Sequence, residues 1–160
     1  MGVRMTTPQA AIEAFFKKSF EIIQREIFMA FAKLGEECVV KIRDRSQDES
    51  WYDHTSNLRS SIGYAIYDYG LEQISSAFET IKGGSTGSQE GKRMVKELAK
   101  EYSNVFALVV IAAMNYAEYV EAIEGKDVLA STELWAKAEV EKRLQRAKES
   151  AIKKINALKL

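Results

Sequence analysis

The chain has one histidine, His54, so any serine or cysteine nucleophile that a histidine activates must use it. Asp53 is the neighbour that would orient the ring, and Ser56 and Ser60 are serines close to it in sequence. No nucleophile-elbow signature surrounds these residues. The pattern therefore favours a loop histidine that makes local hydrogen bonds. We expect no catalytic residue in this chain.

The acidic segment around His54 is also the best place to look for a metal site. Its candidate ligands are Asp48, Glu49, Asp53 and His54, and their spacing matches neither a calcium loop nor a zinc motif. The lone cysteine, Cys38, lies on an apolar helical stripe, which is typical of a core residue rather than a reactive one. We therefore expect no metal and no cofactor, and a solvated acidic loop here.

A glycine-rich segment precedes a predicted helix, as it does in phosphate-binding loops. Gly83 to Gly87 is not followed by the Gly-Lys-Ser/Thr ending that places a lysine against phosphates, because Glu90 and Gly91 stand there instead. The sequence predicts a flexible surface loop over Gly83 to Ser88.

Composition limits the remaining classes of function. The chain has 160 residues, which suit one domain, with 23 basic and 23 acidic side chains and a formal net charge of zero. The charge balance gives no overall attraction to nucleic acid and no self-repulsion against assembly. One cysteine excludes an intrachain disulfide. The polar start of the chain indicates no secretory signal, and the longest apolar run, Val105 to Met114, is about half of a membrane span.

The last helix offers the one local basic excess. Between Lys137 and Leu160 the basic side chains outnumber Glu139, Glu141 and Glu149. Such a helix contacts phosphates in some proteins, which keeps a small nucleic-acid-contacting protein as the alternative function. The interleaved glutamates and the position of the cations near the helix C-terminus favour a solvated face.

A long helix opens the predicted fold. Thr7 is placed to cap it and Pro8 to start it, and the pattern runs to about Arg45, roughly 55 Å at 1.5 Å per residue. One apolar stripe follows steps of three or four residues and predicts the core side of the helix: Phe16, Phe20, Ile23, Ile27, Phe31, Leu34, Cys38 and Ile42.

A second apolar line runs along the same helix and includes Phe15, Ile22 and Met29, which recur every seven residues, followed by Val40. Seven-residue spacing suits a partner helix lying alongside. Packing on two sides within one domain remains the alternative. We expect a homo-oligomer, with Phe15, Ile22 and Met29 as interface candidates.

The rest of the chain predicts an α+β fold, with a small, mainly antiparallel sheet, a long N-terminal helix, a middle helix and a long C-terminal helix. Thr55 or Ser56 caps a helical turn over Asn57 to Ser61. The predicted elements after it are strands at Ile62–Tyr69 and Gln73–Ile81, joined at Gly70, a helix at Glu90–Tyr102, a strand at Val105–Ala113 buried on both faces, a turn or short helix at Asn115–Ile123, a strand at Lys126–Ala130, and a helix capped by Ser131 or Thr132. We take residues 1–160 as a single domain, with a long helix at 8–45, an α+β core at 46–134 and a C-terminal helix at 131–158.

Two motifs in the middle of the chain resemble a known family. Asp53 to Ile62, DHTSNLRSSI, resembles the TGxLRxSI stretch of minor structural proteins of long-tailed phages, called tail-completion, head–tail connector or neck proteins. Ser56 stands where that family usually has glycine. Asn115 to Glu121, NYAEYVE, resembles the family's YAxYVE signature after a buried strand, and Asp127-Val128-Leu129 resembles the segment that comes after this signature in the family. Ala122 and Ile123 stand where the family usually has a glycine.

The resemblance covers Ser46 to Leu134 and implies a structural protein of a phage or prophage particle. Such a protein couples capsid to tail in repeated copies around an axis, contacts other head and tail proteins, and has no substrate, cofactor or membrane partner. It is found in the virion and, during assembly, in the bacterial host cytoplasm. Tyrosine and charged side chains at turns commonly build interfaces, which adds Tyr116, Tyr119 and Glu121 to the interface candidates.

Overall fold

The computed structural model describes residues 7–46, 51, 52, 54–123 and 126–158. The chain forms two compact units: a helical unit, Met1–Ala30 with Glu141–Leu160, and an α+β unit, Phe31–Val140. Helix α1 (Gln9–Arg43) and helix α5 (Ala130–Asn156) each contribute to both units. The fold class predicted from the sequence is confirmed, since a three-stranded antiparallel sheet accompanies a long N-terminal, a middle and a long C-terminal helix.

The helical unit pairs the first part of α1 with the last part of α5. Its buried side chains among the described residues are small: Ser19, Ala147 and Ala151. Ser19 donates its hydroxyl to the carbonyl of Phe15 at 2.8 Å, so this polar group is satisfied within α1. Lys154 Nζ lies 2.5 Å from Glu26 Oε1 and joins the two helices.

The apolar stripe of α1 is buried over only part of its length. Phe16, Phe20 and Ile23 are 57%, 69% and 39% exposed, whereas Leu34, Cys38 and Ile42 are buried. The prediction of one continuous core stripe is therefore wrong for its first three residues. Two helices share one seam, and here small side chains fill it, so the phenylalanines on the adjacent face have no layer to pack against.

The sheet of the α+β unit has the strand order β2-β1-β3, with both pairs antiparallel. Its strands are β1 (Ile62–Asp68), β2 (Leu71–Ser75) and β3 (Phe106–Ala112). Asp68 pairs with Leu71 across a two-residue turn in which Tyr69 has φ +50° and Gly70 has φ +83°. Positive φ at both central residues is the requirement of the type I′ hairpin. The hairpin expected at Gly70 is confirmed, although β2 ends six residues before the predicted strand does.

The central strand β1 is buried on both faces. On one face Tyr64 packs where a side chain on Gly35 of α1 would lie, and its hydroxyl donates to Glu36 at 2.9 Å. Burial, reinforced by Glu36, raises the pKa of Tyr64 to about 12. On the other face Tyr67 donates to the carbonyl of Val95 at 2.6 Å and stacks on Tyr102 at 5.6 Å. Its neighbours in this core cluster are Ala65, Phe78, Val95 and Ile111.

The middle helix begins earlier than the sequence predicts. Helix α3 spans Ser85–Leu98, so the predicted loop over Gly83 to Ser88 is wrong from Ser85 onward. Ser88 is buried and donates its hydroxyl to the carbonyl of Phe78, and Gly91 lies against the Phe78 ring. The segment therefore begins a helix and is not a surface loop, because its small residues pack closely against Phe78.

Three further predictions about the second half of the chain are wrong. Lys126 to Ala130 is not a strand, because residues 126–129 are irregular and Ala130 begins α5. Ser131 and Thr132 lie inside α5 and do not precede it as caps, and the backbone N–H of Ser131 donates to Asp127 Oδ1 at 3.2 Å. Strand β3 is half-buried over most of its length instead of buried on both faces, because it pairs on one side only.

Candidate functional site

The first motif forms helix α2 (Asn57–Ser61), which begins directly after a residue of left-handed conformation. Ser56 has φ +58° and makes no side-chain cap bond, whereas Thr55 Oγ1 accepts the N–H of Asn57 at 3.4 Å. A φ in this region favours glycine. Ser56 therefore adopts a backbone conformation that L side chains rarely occupy.

Helix α2 packs closely on the start of α3. Asn57 Oδ1 accepts the N–H of Gly87 at 3.1 Å, and Ser60 Oγ accepts the N–H of Ile81 at 2.9 Å. A side chain on Gly84 or Gly87 would collide with the carbonyls of Ser56 and Asn57. The glycine-rich segment thus serves close helix packing, which explains its composition without a phosphate.

Trp51 is a buried aromatic residue that contacts Arg59 of the first motif. It is 3% exposed, and the guanidinium of Arg59 lies over its ring at 4.8 Å. Arg59 also donates to the carbonyls of Arg43 and Arg45, which joins the motif to the end of α1. The indole N–H of Trp51 is buried and has no hydrogen-bond acceptor among the described residues. The sequence does not predict a role for Trp51, because its contact with Arg59 is formed only in the folded chain.

The second motif leads into helix α4 (Ala117–Ile123) and lies beside the first. Ala117 and Val120 are buried, while Tyr116 and Tyr119 are 36% and 55% exposed. Together the two motifs enclose a cleft of about 370 Å³, which we call the aromatic cleft, lined by Trp51, Tyr52, His54, Thr55, Asn57, Leu58, Tyr116 and Val120. The rings of Tyr52 and His54 meet edge to face at 4.3 Å.

Glu121, one of the interface candidates, also forms hydrogen bonds within the chain. Its Oε1 accepts the N–H groups of Leu129 at 3.1 Å and Ala130 at 2.7 Å, at the start of α5. A carboxylate in this position satisfies helix N–H groups that have no partner within the helix and interacts favourably with the helix dipole.

Arg45 is the second anchor of the α5 start. Its guanidinium lies 2.9 Å from the carboxylate of Asp127 and donates to the hydroxyls of Ser131 and Thr132. Burial alone would raise the pKa of Asp127, but the Ser131 hydrogen bonds and the Arg45 charge outweigh burial and lower it. The segment after the second motif is therefore fixed by ion pairing.

Those residues considered for catalysis and metal binding that the structure describes are not gathered into one site. His54 is exposed, Ser60 is buried with its hydroxyl bonded to Ile81, and Cys38 is fully buried. Asp48, Glu49 and Asp53 lie outside the described residues. Within the described part of the chain, no group of three histidine, cysteine or acidic side chains is placed to hold a metal ion.

The cations of α5 are partly paired. Lys137 lies 2.5 Å from Glu133, and Lys154 lies 2.5 Å from Glu26. The Lys154 hydrogen bond is the main cause of the lowered pKa of Glu26. This pairing reduces the field that the helix presents to a phosphate backbone.

Among the described residues, no helix combines the length and apolarity that crossing a membrane requires. No protein-family model, curated protein or solved structure matches this chain.

Proposed function

We propose that this chain is a structural, non-enzymatic component of a phage or prophage particle that joins or completes the head–tail (neck) assembly. The observation that carries the proposal is the aromatic cleft, because it brings together two motifs that are far apart in sequence. Tyr116 and Val120 of the second motif line the same cleft as Thr55, Asn57 and Leu58 of the first. If the two motifs serve one binding function, their residues must lie on one surface, as they do in this cleft.

The chemistry of the cleft suits a protein partner. Its lining is mainly aromatic and aliphatic, and aromatic side chains dominate the energetics of protein interfaces. Ser56 supports the resemblance separately, since its left-handed conformation occurs where the family usually has glycine. In the proposed role the chain is part of the virion and is found in the host cytoplasm during assembly.

A complementation assay tests the function. A phage or prophage lacking this gene should yield filled heads and free tails that fail to join, as seen by electron microscopy, and the wild-type gene should restore infectious particles. The double change Tyr116→Ala and Tyr119→Ala should reduce the yield of joined particles by at least about tenfold, the effect of losing roughly 1.4 kcal/mol of binding.

Tyr69→Ala is the matched control, because Tyr69 is an equally polar aromatic side chain, 67% exposed, on the β1–β2 turn and away from the cleft. It should complement fully. Normal particles from the deletion strain would overturn the neck assignment. Full complementation by the double variant would leave the neck assignment intact and remove the aromatic cleft from it.

A further inference from the structure

Strand β3 has one edge that no described residue pairs with. It is the end strand of the order β2-β1-β3. Tyr69 donates its N–H to the carbonyl of Val105 at 3.1 Å, and Ala113 donates to Ser61 at 3.3 Å. Because bonding alternates along an antiparallel pair, Ala107, Val109 and Ile111 direct their backbone groups toward β1. The backbone groups of the intervening residues Leu108, Val110 and Ala112 point away from β1.

This free edge lacks the features that normally protect edge strands. Natural sheets use charged side chains, proline, bulges or short edge strands to prevent pairing with another chain. β3 has seven residues, FALVVIA, with no charge and no proline, and it pairs with β1 without a register shift. The other edge of the sheet, β2, carries Glu72 and has a register shift between Ile66 and Tyr67 of its partner strand. Only β3 is therefore both regular and uncharged.

An apolar cavity adjoins the same strand. It has a volume of about 340 Å³ and lies between the sheet and the helices of the α+β unit. Leu108 and Val110, the residues whose backbone groups face the free edge, line it together with other mainly apolar side chains of α1 and α5, and Glu133 and Lys137 are its charged lining residues. A strand added beside β3 would place every second side chain on the cavity side of the sheet. Main-chain bonding combined with a pocket for alternate side chains is how proteins bind an added strand.

We infer that the free edge of β3 pairs antiparallel with β3 of a second copy of this chain, forming one continuous six-stranded sheet. The character of the edge argues for this occupant, because a regular, uncharged strand pairs with it without desolvating a charge. β3 itself is an uncharged strand with an identical free edge. Antiparallel pairing of two identical strands is self-complementary and closes with two-fold symmetry. The inference does not depend on the neck assignment.

Residue-resolved amide exchange by NMR across a concentration series tests this pairing on the wild-type chain. The N–H groups of Leu108, Val110 and Ala112 should exchange rapidly in dilute protein and become protected as the concentration rises. Val109 and Ile111, already bonded to β1, should be protected throughout. Light scattering should follow the same transition from 18.0 kDa to twice that mass.

Val110→Pro provides the perturbation, because it removes one outward N–H, and proline is tolerated where that N–H faces away from the sheet. Val110→Ala is the matched control, since it shortens the same side chain and keeps the N–H. The proline variant should lose the rise in mass, while the alanine variant should keep it.

Three results would overturn the inference. The wild type stays at 18.0 kDa at every concentration; the mass rises while the Leu108 and Val110 amides still exchange rapidly; or Val110→Pro, with an unchanged circular dichroism spectrum, associates as the wild type does. In the second case, dissociation by Met29→Glu would place the interface on α1 instead. If Val110→Pro does not fold, the wild-type exchange pattern alone decides.

Discussion

The two units of this chain bury very different side chains. The α+β unit contains Tyr67, Phe78 and Leu58, each at most 2% exposed, between its sheet and helices. The helical unit buries only Ser19, Ala147 and Ala151 among its described residues and leaves Phe16 and Phe20 largely exposed. A sheet with helices against it encloses a core, whereas two helices share a single seam. We conclude that the α+β unit supplies most of the folding free energy, whereas the helical unit leaves large apolar side chains exposed.

The largest expected effect contrasts one phenylalanine from each unit. Phe78→Ala should lower the free energy of unfolding by about 3–5 kcal/mol, because it leaves a cavity among Tyr67, Val95 and Ile111. Phe20→Ala, at a side chain that is 69% exposed, should change it by less than about 0.5 kcal/mol. Urea denaturation of both variants measures the contrast. Equal losses would mean that the helical unit has a core of its own.

The next effect contrasts two ion pairs. Arg45→Ala should destabilise the chain by about 2–4 kcal/mol, because Arg45 is 10% exposed and its loss leaves Asp127 without its charged partner. Lys137→Ala should cost at most about 1 kcal/mol, since Lys137 and Glu133 are 70% and 61% exposed. Thermal unfolding of the two variants compares them. A loss from Lys137→Ala as large as that from Arg45→Ala would contradict the role assigned to burial.

The pH dependence offers a finer contrast between Asp127 in the α+β unit and Glu26 in the helical unit. Both carboxyl groups have lowered pKa values in the folded chain. Each therefore contributes stability that is complete above its unfolded pKa, about 3.9 for Asp and 4.3 for Glu, and that is lost as the pH falls through the lowered folded value.

Asp127→Asn should consequently be less stable than the wild type at neutral pH, and the difference should shrink below about pH 4. Glu26→Gln should show the same direction with a smaller amplitude, because the Lys154 partner is 53% exposed. Denaturation midpoints measured from neutral to acidic pH check both. A difference that stays constant down to strongly acidic pH would rule out the charge of Asp127 as its cause.

The smallest expected effect concerns the basic face of α5. Any DNA binding should be weak and should vanish at about 200 mM salt, because such contacts depend on counterion release. Lys153→Glu with Lys154→Glu should then change little in a gel-shift assay at that salt concentration. Submicromolar binding that survives this salt and is lost in the double variant would instead favour the nucleic-acid-contacting alternative.

The interface candidates on α1 stay predictions, and the structure sharpens how to test them. Met29 is 59% exposed, so Met29→Glu changes a surface without disturbing a core. Phe15 and Ile22 are half-buried, so glutamate at either position also perturbs the helical unit. Exposed Phe16 and Phe20 lie on the stripe that the sequence pattern assigned to the core. The apolar pattern contains both lines but does not identify which of their side chains are buried.

Local chemistry in the sequence determined the elements themselves. The three- and four-residue spacing along α1 predicts a helix to within about two residues, since helix periodicity depends on neighbours one turn apart. Gly70 between two strand-forming runs predicts the hairpin because a positive φ is a local requirement. The first motif likewise contains its own helix start, at Thr55 and Ser56.

Tertiary structure alone decided which faces are buried and which distant residues meet. The residues around Gly87 have the sequence pattern of a loop, but in the folded chain Asn57 accepts the N–H of Gly87 and the segment is helical. Lys126 to Ala130 has the sequence pattern of a strand, but Arg45 and Glu121 bind this segment as the start of α5. The aromatic cleft has the same origin, since Trp51 and Tyr116 become neighbours only after β1 and β3 pair. Burial and hydrogen bonding across long sequence separations depend on the whole packing arrangement, and a linear pattern of residue types does not contain that information.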